Sequence, residues 1–232
     1  LPVVADADSG YGNALNVERC VRKMASIGVA GLHVEDQTFP KRCGHYEDKS
    51  LIPVEEMDQK IRAAREAAGP GGPLVIARTD AIAVEGLPAA IDRAHRYRAA
   101  GAEMIFVEAP RSEAHLRTIA AELPYPKLLN MFPGGKTPVV PRALVEELGY
   151  ELVIVPGDLQ RAAIGAMERA LAEIAAEGST AGLEGTIPSF AHREEVVGTA
   201  GYLERDRRYA AEADAAAGVE STAESGVGQT TE

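Results

Sequence analysis

Short apolar runs alternate with longer amphipathic segments along this chain. Six runs, at residues 3–5, 31–34, 74–77, 104–107, 128–129 and 152–155, are bracketed by turn residues, and most are rich in Val and Ile. Continuous apolarity, rather than strict alternation with polar residues, marks strands of a parallel sheet covered on both faces. Between the runs lie segments with helical periodicity, at 17–26, 53–68, 87–100, 113–122, 142–147 and 159–176. Asn13 or Asn16 caps the first of them. Strand followed by helix, six times over, predicts an α/β fold built on a parallel sheet.

The polar residues that follow each run narrow the architecture. Asp6 and Asp8 follow the first run, Glu35 and Asp36 the second, and Arg78 and Asp80 the third. Glu108 follows the fourth, Asn130 the fifth, and Gly157, Asp158 and Arg161 the sixth. The starts of the runs hold only turn residues such as Gly28, Gly101, Pro126 and Gly149. Chemistry gathered at the carboxyl ends of all strands is the signature of a TIM-type (β/α)8 barrel, whose strand ends share one mouth. An open doubly wound sheet concentrates its site at one switch point and would not recruit every strand. Six units leave two strands unaccounted for. The chain opens on Leu1-Pro2-Val3-Val4-Ala5, already a strand and without an initiating Met, so residues are expected to precede it.

Beyond Ala176 the pattern changes. Gly178-Ser179-Thr180 ends the last helix, residues 186–190 form a linker, and 191–209 read as a charged helix ending in Arg205, Arg207 and Arg208. From Ala210 the sequence is Ala, Gly, Ser, Thr and Glu without an apolar face, which predicts a disordered tail. The expected organisation is a partial barrel at 1–177 with a catalytic loop at 36–47, a helical arm at 178–209, and a tail at 210–232.

Composition adds limits. The 232 residues are 46% hydrophobic and 25% charged, enough for one sizeable core. A net charge of −11 argues against nucleic acid or an anionic membrane as partner. No run is long enough to span a bilayer, and no stretch resembles a signal peptide. Of the two cysteines, Cys20 lies with Val17, Val21 and Met24 on the apolar side of a helix and reads as core. Two cysteines make no disulfide framework, and the expected compartment is the reducing cytoplasm.

Three groups of residues suggest chemistry. Asp6-Ala7-Asp8 sets two carboxylates on one side of a strand end, because side chains two apart face alike. Hard cations such as Mg²⁺ take oxygen ligands of this kind. Glu35, at the next strand end, can join them directly or through water. Arg78 can grip a substrate carboxylate with its planar fork, or pair structurally with Glu108 or Asp80. The third group is the loop after Glu35-Asp36-Gln37, where Cys43 stands between Lys41, Arg42 and His45. Nearby positive charge favours the thiolate, so the Cys43 thiol is expected to be acidified. Gly44 lets the backbone turn there.

Glu35-Asp36-Gln37 followed by Lys41-Arg42-Cys43-Gly44-His45 resembles the isocitrate lyase / phosphoenolpyruvate mutase superfamily, and the KRCGH form is most similar to its 2-methylisocitrate lyase branch. The resemblance extends from residue 1 to about Tyr209. It implies the eight-stranded barrel, with two strands before Leu1 carrying a Ser-Gly-Gly turn and a further acid. It implies a metal site at Asp6 and Asp8 with Glu35 in its outer shell, holding Mg²⁺ or, alternatively, Mn²⁺. It carries substrate contacts onto Cys43, Gly44, Arg78, Glu108, Asn130 and Arg161, and more loosely onto Arg193. Lys41 and His45 join Cys43 as catalytic candidates. The implied activity is cleavage of a 2-hydroxy polycarboxylate to a 2-oxo acid and a dicarboxylate such as succinate, in a homotetramer whose C-terminal helices swap between subunits. Alternatives are a carboxyphosphonoenolpyruvate phosphonomutase, an oxaloacetate-type hydrolase or decarboxylase, and an inactive truncated barrel with a binding or assembly role. Tyr46 stands where methylisocitrate lyases often have Arg. Pro156-Gly157-Asp158-Leu159-Gln160 departs from their more apolar stretch, so the branch and substrate stay open.

Overall fold

The computed structural model describes residues 1–44 and 46–224, with side chains described through residue 215. Six parallel strands form one curled sheet, in effect a half-barrel. They are β1 (Val4–Asp6), β2 (Gly31–Glu35), β3 (Leu74–Thr79), β4 (Met104–Val107), β5 (Lys127–Asn130) and β6 (Leu152–Ile154), and spatial order follows chain order. Helices α1 (Ala14–Ser26), α2 (Val54–Ala68), α3 (Ala81–Val84), α4 (Leu87–Ala100), α5 (Glu113–Glu122) and α6 (Arg142–Glu147) connect them. The chain divides into two compact units, Leu1–Leu159 and Gln160–Glu232. The boundary falls near the start of α7 (Asp158–Glu177), earlier than the residue 177 read from the sequence. No residue of α7 is buried.

Local chemistry explains the element ends. Asn13 and Asn16 both serve at the start of α1: Asn13 accepts from the Leu15 and Asn16 amides, and Asn16 accepts from the Asn13 amide. This reciprocal cap starts the helix at Ala14, three residues before the apolar periodicity begins. The second unit holds α7, α8 (Phe190–Val197) and α9 (Thr199–Glu224). Gly198, left-handed at φ +70°, divides what the sequence presents as one helix at 191–209. Helix α9 runs past Tyr209 to Glu224, against the expected disordered tail from Ala210. Alanine, the best helix former, supplies Ala210, Ala211, Ala213 and Ala215–Ala217. The rest of that tail, 225–232, lies outside the described residues. No helix among the described residues is long and apolar enough to cross a membrane.

Period-two alternation gives the sheet two different faces. Leu32 and Val34, Val75 and Ala77, Ile105 and Val107, and Leu129 point outward into a layer shared with the helices. There they pack with Val17, Val21, Met57, Ile61, Ala94, Leu116 and Ile119. The inner face carries a smaller cluster of Ile76, Met104, Phe106 and Leu128, edged by Leu74, Leu152 and Ile154. Cys20 is half-buried against the outer layer, and burial pushes its thiol pKa up.

One buried carboxylate joins β2, β3 and α4. Asp36 is fully buried and accepts from Thr79 Oγ1 at 2.7 Å, the Asp80 amide at 2.9 Å and the Tyr97 hydroxyl at 2.8 Å. Arg93 Nη1 adds a charge at 3.4 Å, while its Nε and Nη2 hold Glu85 at 2.8 and 2.9 Å. A buried charge is tolerable only when its lone pairs are taken up in this way. The network fixes the carboxyl ends of β2 and β3 side by side. Tyr97→Phe removes a donor from this carboxylate and an acceptor from Arg93, so it is expected to cost about 1–3 kcal/mol of stability. Urea denaturation checks this; an unchanged midpoint would show that water or neighbours replace the hydroxyl at no cost.

Candidate active site

The inner-facing residue at the end of each of β1 to β5 is polar. Asp6 pairs in register with His33, and Glu35 with Arg78; Glu108 directly follows β4, and Asn130 ends β5. These are the positions that the sequence singled out, and they share the carboxyl rim of one sheet. Beneath them a cavity of about 500 Å³ is lined by Asp6, His33, Arg78, Phe106, Asn130 and Ile154.

Arg78 lies at the centre. Its side chain is buried, with Nε 3.0 Å from Asp80 Oδ2, Nη2 3.2 Å from Asp80 Oδ1, Nη1 3.1 Å from Glu35 and Nε 3.9 Å from Glu108. Burial alone would lower its pKa, but Asp80, Glu108 and Glu35 outweigh that and hold it raised. The guanidinium fork is therefore engaged with carboxylates of the protein itself. Asn130 Nδ2 lies 3.3 and 3.4 Å from the two Glu108 oxygens.

Lys41 departs from the sequence reading. Instead of flanking the Cys43 thiol, its ammonium reaches 2.7 Å from Asp8, 3.6 Å from Glu35 and 3.9 Å from Asp6. Arg42 turns to Asp48 at 3.6 Å. Two of the three cations assigned to Cys43 thus have carboxylate partners: Lys41 gains from three acids at once, and Arg42 makes a surface pair. Burial works against the Lys41 charge, but Asp8, Glu35 and Asp6 raise its pKa overall. His45, the third, lies outside the described residues. Cys43 itself is exposed. Gly44 is buried against β4: a Cβ there would sit 2.5 Å from Glu108 Oε1, so the loop's approach requires glycine.

The residues fit a divalent cation. Asp6, Asp8, Glu35, Asp80 and Glu108 bring five carboxyl groups against three cations, Lys41, Lys49 and Arg78, so acids outnumber cations. Neither Glu35 oxygen has a hydrogen bond, although the side chain is fully buried. The donors are all oxygen, as hard cations require. Among the described residues no three His, Cys, Asp or Glu side chains converge closely enough to hold a metal by themselves. Mg²⁺ does not need that, since it keeps several waters and uses one or two carboxylates. Arg161, in α7, and Arg193, in α8, belong to the second unit; both are exposed, and Arg193 pairs with the adjacent Glu194.

Three roles were not legible in the sequence. Lys49 pairs with Asp80 at 2.9 Å inside the protein. Gln37 holds the Arg42 backbone through both its amide and its oxygen, at 2.8 and 2.9 Å. His33 stands edge-on to Phe106 with Nδ1 3.7 Å from Asp6, and burial lowers its pKa. The only signal for Lys49 was that Asp80, between two strands' worth of acids, needs more positive charge than Arg78 supplies.

Burial raises the Glu35 pKa from 4.5 to about 7, with Arg78 opposing the shift. Between those values the folded chain keeps a proton that the unfolded chain has lost. Stability therefore falls as pH rises through that window. Glu35→Gln cannot ionise. In chelator, its stability relative to the unmodified protein is expected to rise between about pH 5 and about pH 8. Urea midpoints at the two pH values read the difference; a constant difference would mean that Glu35 is ionised throughout.

Comparison with known proteins places this geometry. Residues 1–175 match the family model described as phosphoenolpyruvate phosphomutase. The chain is 46% identical over 169 residues to 2-methylisocitrate lyase of Bacillus subtilis, covering 73% of this chain and 56% of that protein. It is 37% identical over 210 residues to 2,3-dimethylmalate lyase of Eubacterium barkeri, covering 90% of this chain and 73% of that protein. A crystal structure of 2,3-dimethylmalate lyase superposes with a TM-score of 0.81 at 33% identity, over 90% of this chain and 69% of the other. Phosphonopyruvate hydrolase in complex with oxalate and Mg²⁺ superposes at 0.78 and 30% identity, over 90% and 73%. The chain thus spans between 56% and 73% of the length of these proteins. With the family model matched across its sheet and with relatives at this identity, the chain belongs to the phosphoenolpyruvate phosphomutase family, within the PEP mutase/isocitrate lyase superfamily.

Proposed function

We propose that this chain carries the catalytic mouth of a (β/α)8-barrel lyase that breaks a carbon–carbon bond in a 2-hydroxy polycarboxylate of the 2-methylisocitrate kind. The observation that carries the reading is the cluster of Asp6, Asp8 and Glu35 around a single ammonium, at a mouth roofed by the loop of an exposed thiol. In this reading Asp6 and Asp8 hold Mg²⁺, or alternatively Mn²⁺, with Glu35 reaching it through water. When bound there, the cation supplies Lewis-acid polarisation of the substrate's hydroxyl and carboxylate oxygens. The Mg²⁺ in the related phosphonopyruvate hydrolase supports this assignment.

The chain's own residues do the rest. Asn130, oriented by Glu108, offers hydrogen-bond donors to the substrate's carboxylates, and Arg78, its fork held by Asp80 and Glu35, lines the same cavity as a positive charge. In the cleavage direction the substrate's hydroxyl gives its proton to a basic group of the mouth, its oxygen becomes the carbonyl of the departing 2-oxo acid as the carbon–carbon bond breaks, and Cys43 Sγ gives its proton to the carbon left behind; in condensation each proton returns. Lys41 and His45 are the further catalytic candidates, and Lys41, set among Asp6, Asp8 and Glu35, offsets the carboxylate charge at the mouth. Exposed Ile164, Met167, Leu171, Phe190 and Tyr202 support assembly into a homo-oligomer through the second unit.

Two outcomes are expected in the intact protein. First, Asp6→Ala with Asp8→Ala should abolish Mg²⁺ binding measured by calorimetry and remove metal-dependent turnover. Retained Mg²⁺ affinity would move the metal elsewhere. Second, Cys43→Ser should lower kcat about 10²- to 10⁴-fold with little change in KM, because the proton moves in the transition state. Cys20→Ser should leave the turnover of folded molecules intact. A panel of 2-methylisocitrate, 2,3-dimethylmalate, oxaloacetate and carboxyphosphonoenolpyruvate selects the branch. Near-normal turnover by Cys43→Ser on the best of them would reassign the loop to binding.

A further inference from the structure

We infer that Lys49 is a positioning residue that latches the Cys43 loop over the site by tying it to the carboxylate that also holds Arg78. The inference rests on the reading of Cys43 as the proton donor, but its structural part stands apart from it.

The loop is closed at its neck by backbone pairing. The Thr38 amide donates to Ser50 O at 2.9 Å, Gln37 bridges Leu51, and the Ile52 amide donates to Asp36 O at 2.9 Å. Above the neck the described residues are held largely by side-chain contacts, among them Lys41 to Asp8 at 2.7 Å and Arg42 to Asp48 at 3.6 Å. Gln37 clamps the Arg42 backbone on the outgoing limb. Lys136 reaches Glu47 at 2.6 Å near the tip, at the surface. Lys49, on the returning limb, is different in kind: its side chain is 1% exposed. Its ammonium donates to the Gly44 carbonyl, one residue from Cys43, and to Asp80 Oδ1 at 2.9 Å.

A buried ammonium persists only where its charge is paired and its protons are placed. Asp80 is fully buried and shared: both of its oxygens take the Arg78 fork, and one also takes Lys49. Burial would raise the Asp80 pKa, but Arg78 and Lys49 hold it down. Lys49 is thus fixed at the strand end and acts as a post to which the Gly44 carbonyl is tied. With that bond made, Gly44, one residue after Cys43, rests on Glu108 at the end of β4. A loop that lifts must give up the carbonyl bond. A substrate that engages Arg78 changes the load on Asp80, and through it on Lys49. Loop position and substrate binding are thereby coupled through one carboxylate.

Trypsin cleavage after Arg42 in the native protein measures loop opening without any substrate. The bond after Arg42 is held by Gln37 while the loop is closed, so its cleavage rate follows the open population. Lys49→Met keeps the aliphatic stem and removes the latch. A hydrogen bond to a charged group is worth enough that cleavage should accelerate about 10- to 100-fold in protein that circular dichroism shows to be folded. Asp80→Asn, which weakens the post from the other side, should accelerate it too. On the best substrate kcat should fall about 10-fold or more in Lys49→Met while KM changes less, as expected for a displaced proton donor. Lys49→Arg should recover part of the loss. Cleavage at the unmodified rate in either folded variant overturns the inference. Failure of both variants to fold also overturns it, by assigning the pair to global stability. Absence of turnover on every substrate would instead count against the lyase reading, with the cleavage rates still deciding for or against the latch.

Discussion

A guanidinium buried at the end of a central strand must be neutralised where it stands, and the mouth of this half-barrel is organised by that requirement. Arg78 cannot reach bulk water, so Glu35, Asp80 and Glu108 come to it from β2, β3 and β4. Each of those acids would be untenable so deep in the protein without it. Their mutual repulsion in turn demands further positive charge, which Lys41 and Lys49 bring in from the loop. Acids still outnumber cations at the mouth, five to three, and the proposed Mg²⁺ site rests on that balance. One buried arginine thereby links strand packing and loop position.

The arrangement also depends on the two faces of the sheet being chemically different. The outer face is mostly apolar because helices cover it, with the buried Thr79–Asp36 network as a polar exception. The inner face is apolar in its lower layer, around Phe106, and becomes polar one step along β1 to β5. Side chains two residues apart point the same way, so Ile76 and Arg78 share a face, as do Phe106 and Glu108. A shift of one residue in any strand would turn its acid or arginine into the helix layer. The buried Asp36 network, with Thr79, Tyr97 and Arg93, guards against that shift between β2 and β3.

The loop shows how cations that look equivalent along a chain are divided in space. Lys41, Arg42 and Lys49 lie within nine residues of one another, yet each meets a different acid: Lys41 the Asp6–Asp8–Glu35 group, Arg42 the exposed Asp48, and Lys49 the buried Asp80. The first sits among three carboxylates at the mouth, the second pairs at the surface, and the third is sealed in. Burial separates their roles, since an exposed pair contributes little and a buried one must be matched.

The sequence by itself determined the parallel α/β sheet, its strand order and the gathering of Asp6, Glu35, Arg78, Glu108 and Asn130 at one rim. Those features follow from short-range rules: continuous apolar runs for covered strands, period two for facing, and a polar residue where a strand leaves the core. The motif around Cys43 was likewise legible, because its residues are adjacent in the chain. Only the tertiary structure decided which charge meets which. Lys41 turned from the thiol to the carboxylates, Asp36 became the buried hub of four donors, and Lys49 became the partner of Asp80, 31 residues away. The division of 191–209 at Gly198 and the continuation of α9 beyond Tyr209 also stood outside a reading by apolar faces. Pairings of this kind depend on distance and desolvation between residues far apart in the chain, and neither quantity is written in local pattern.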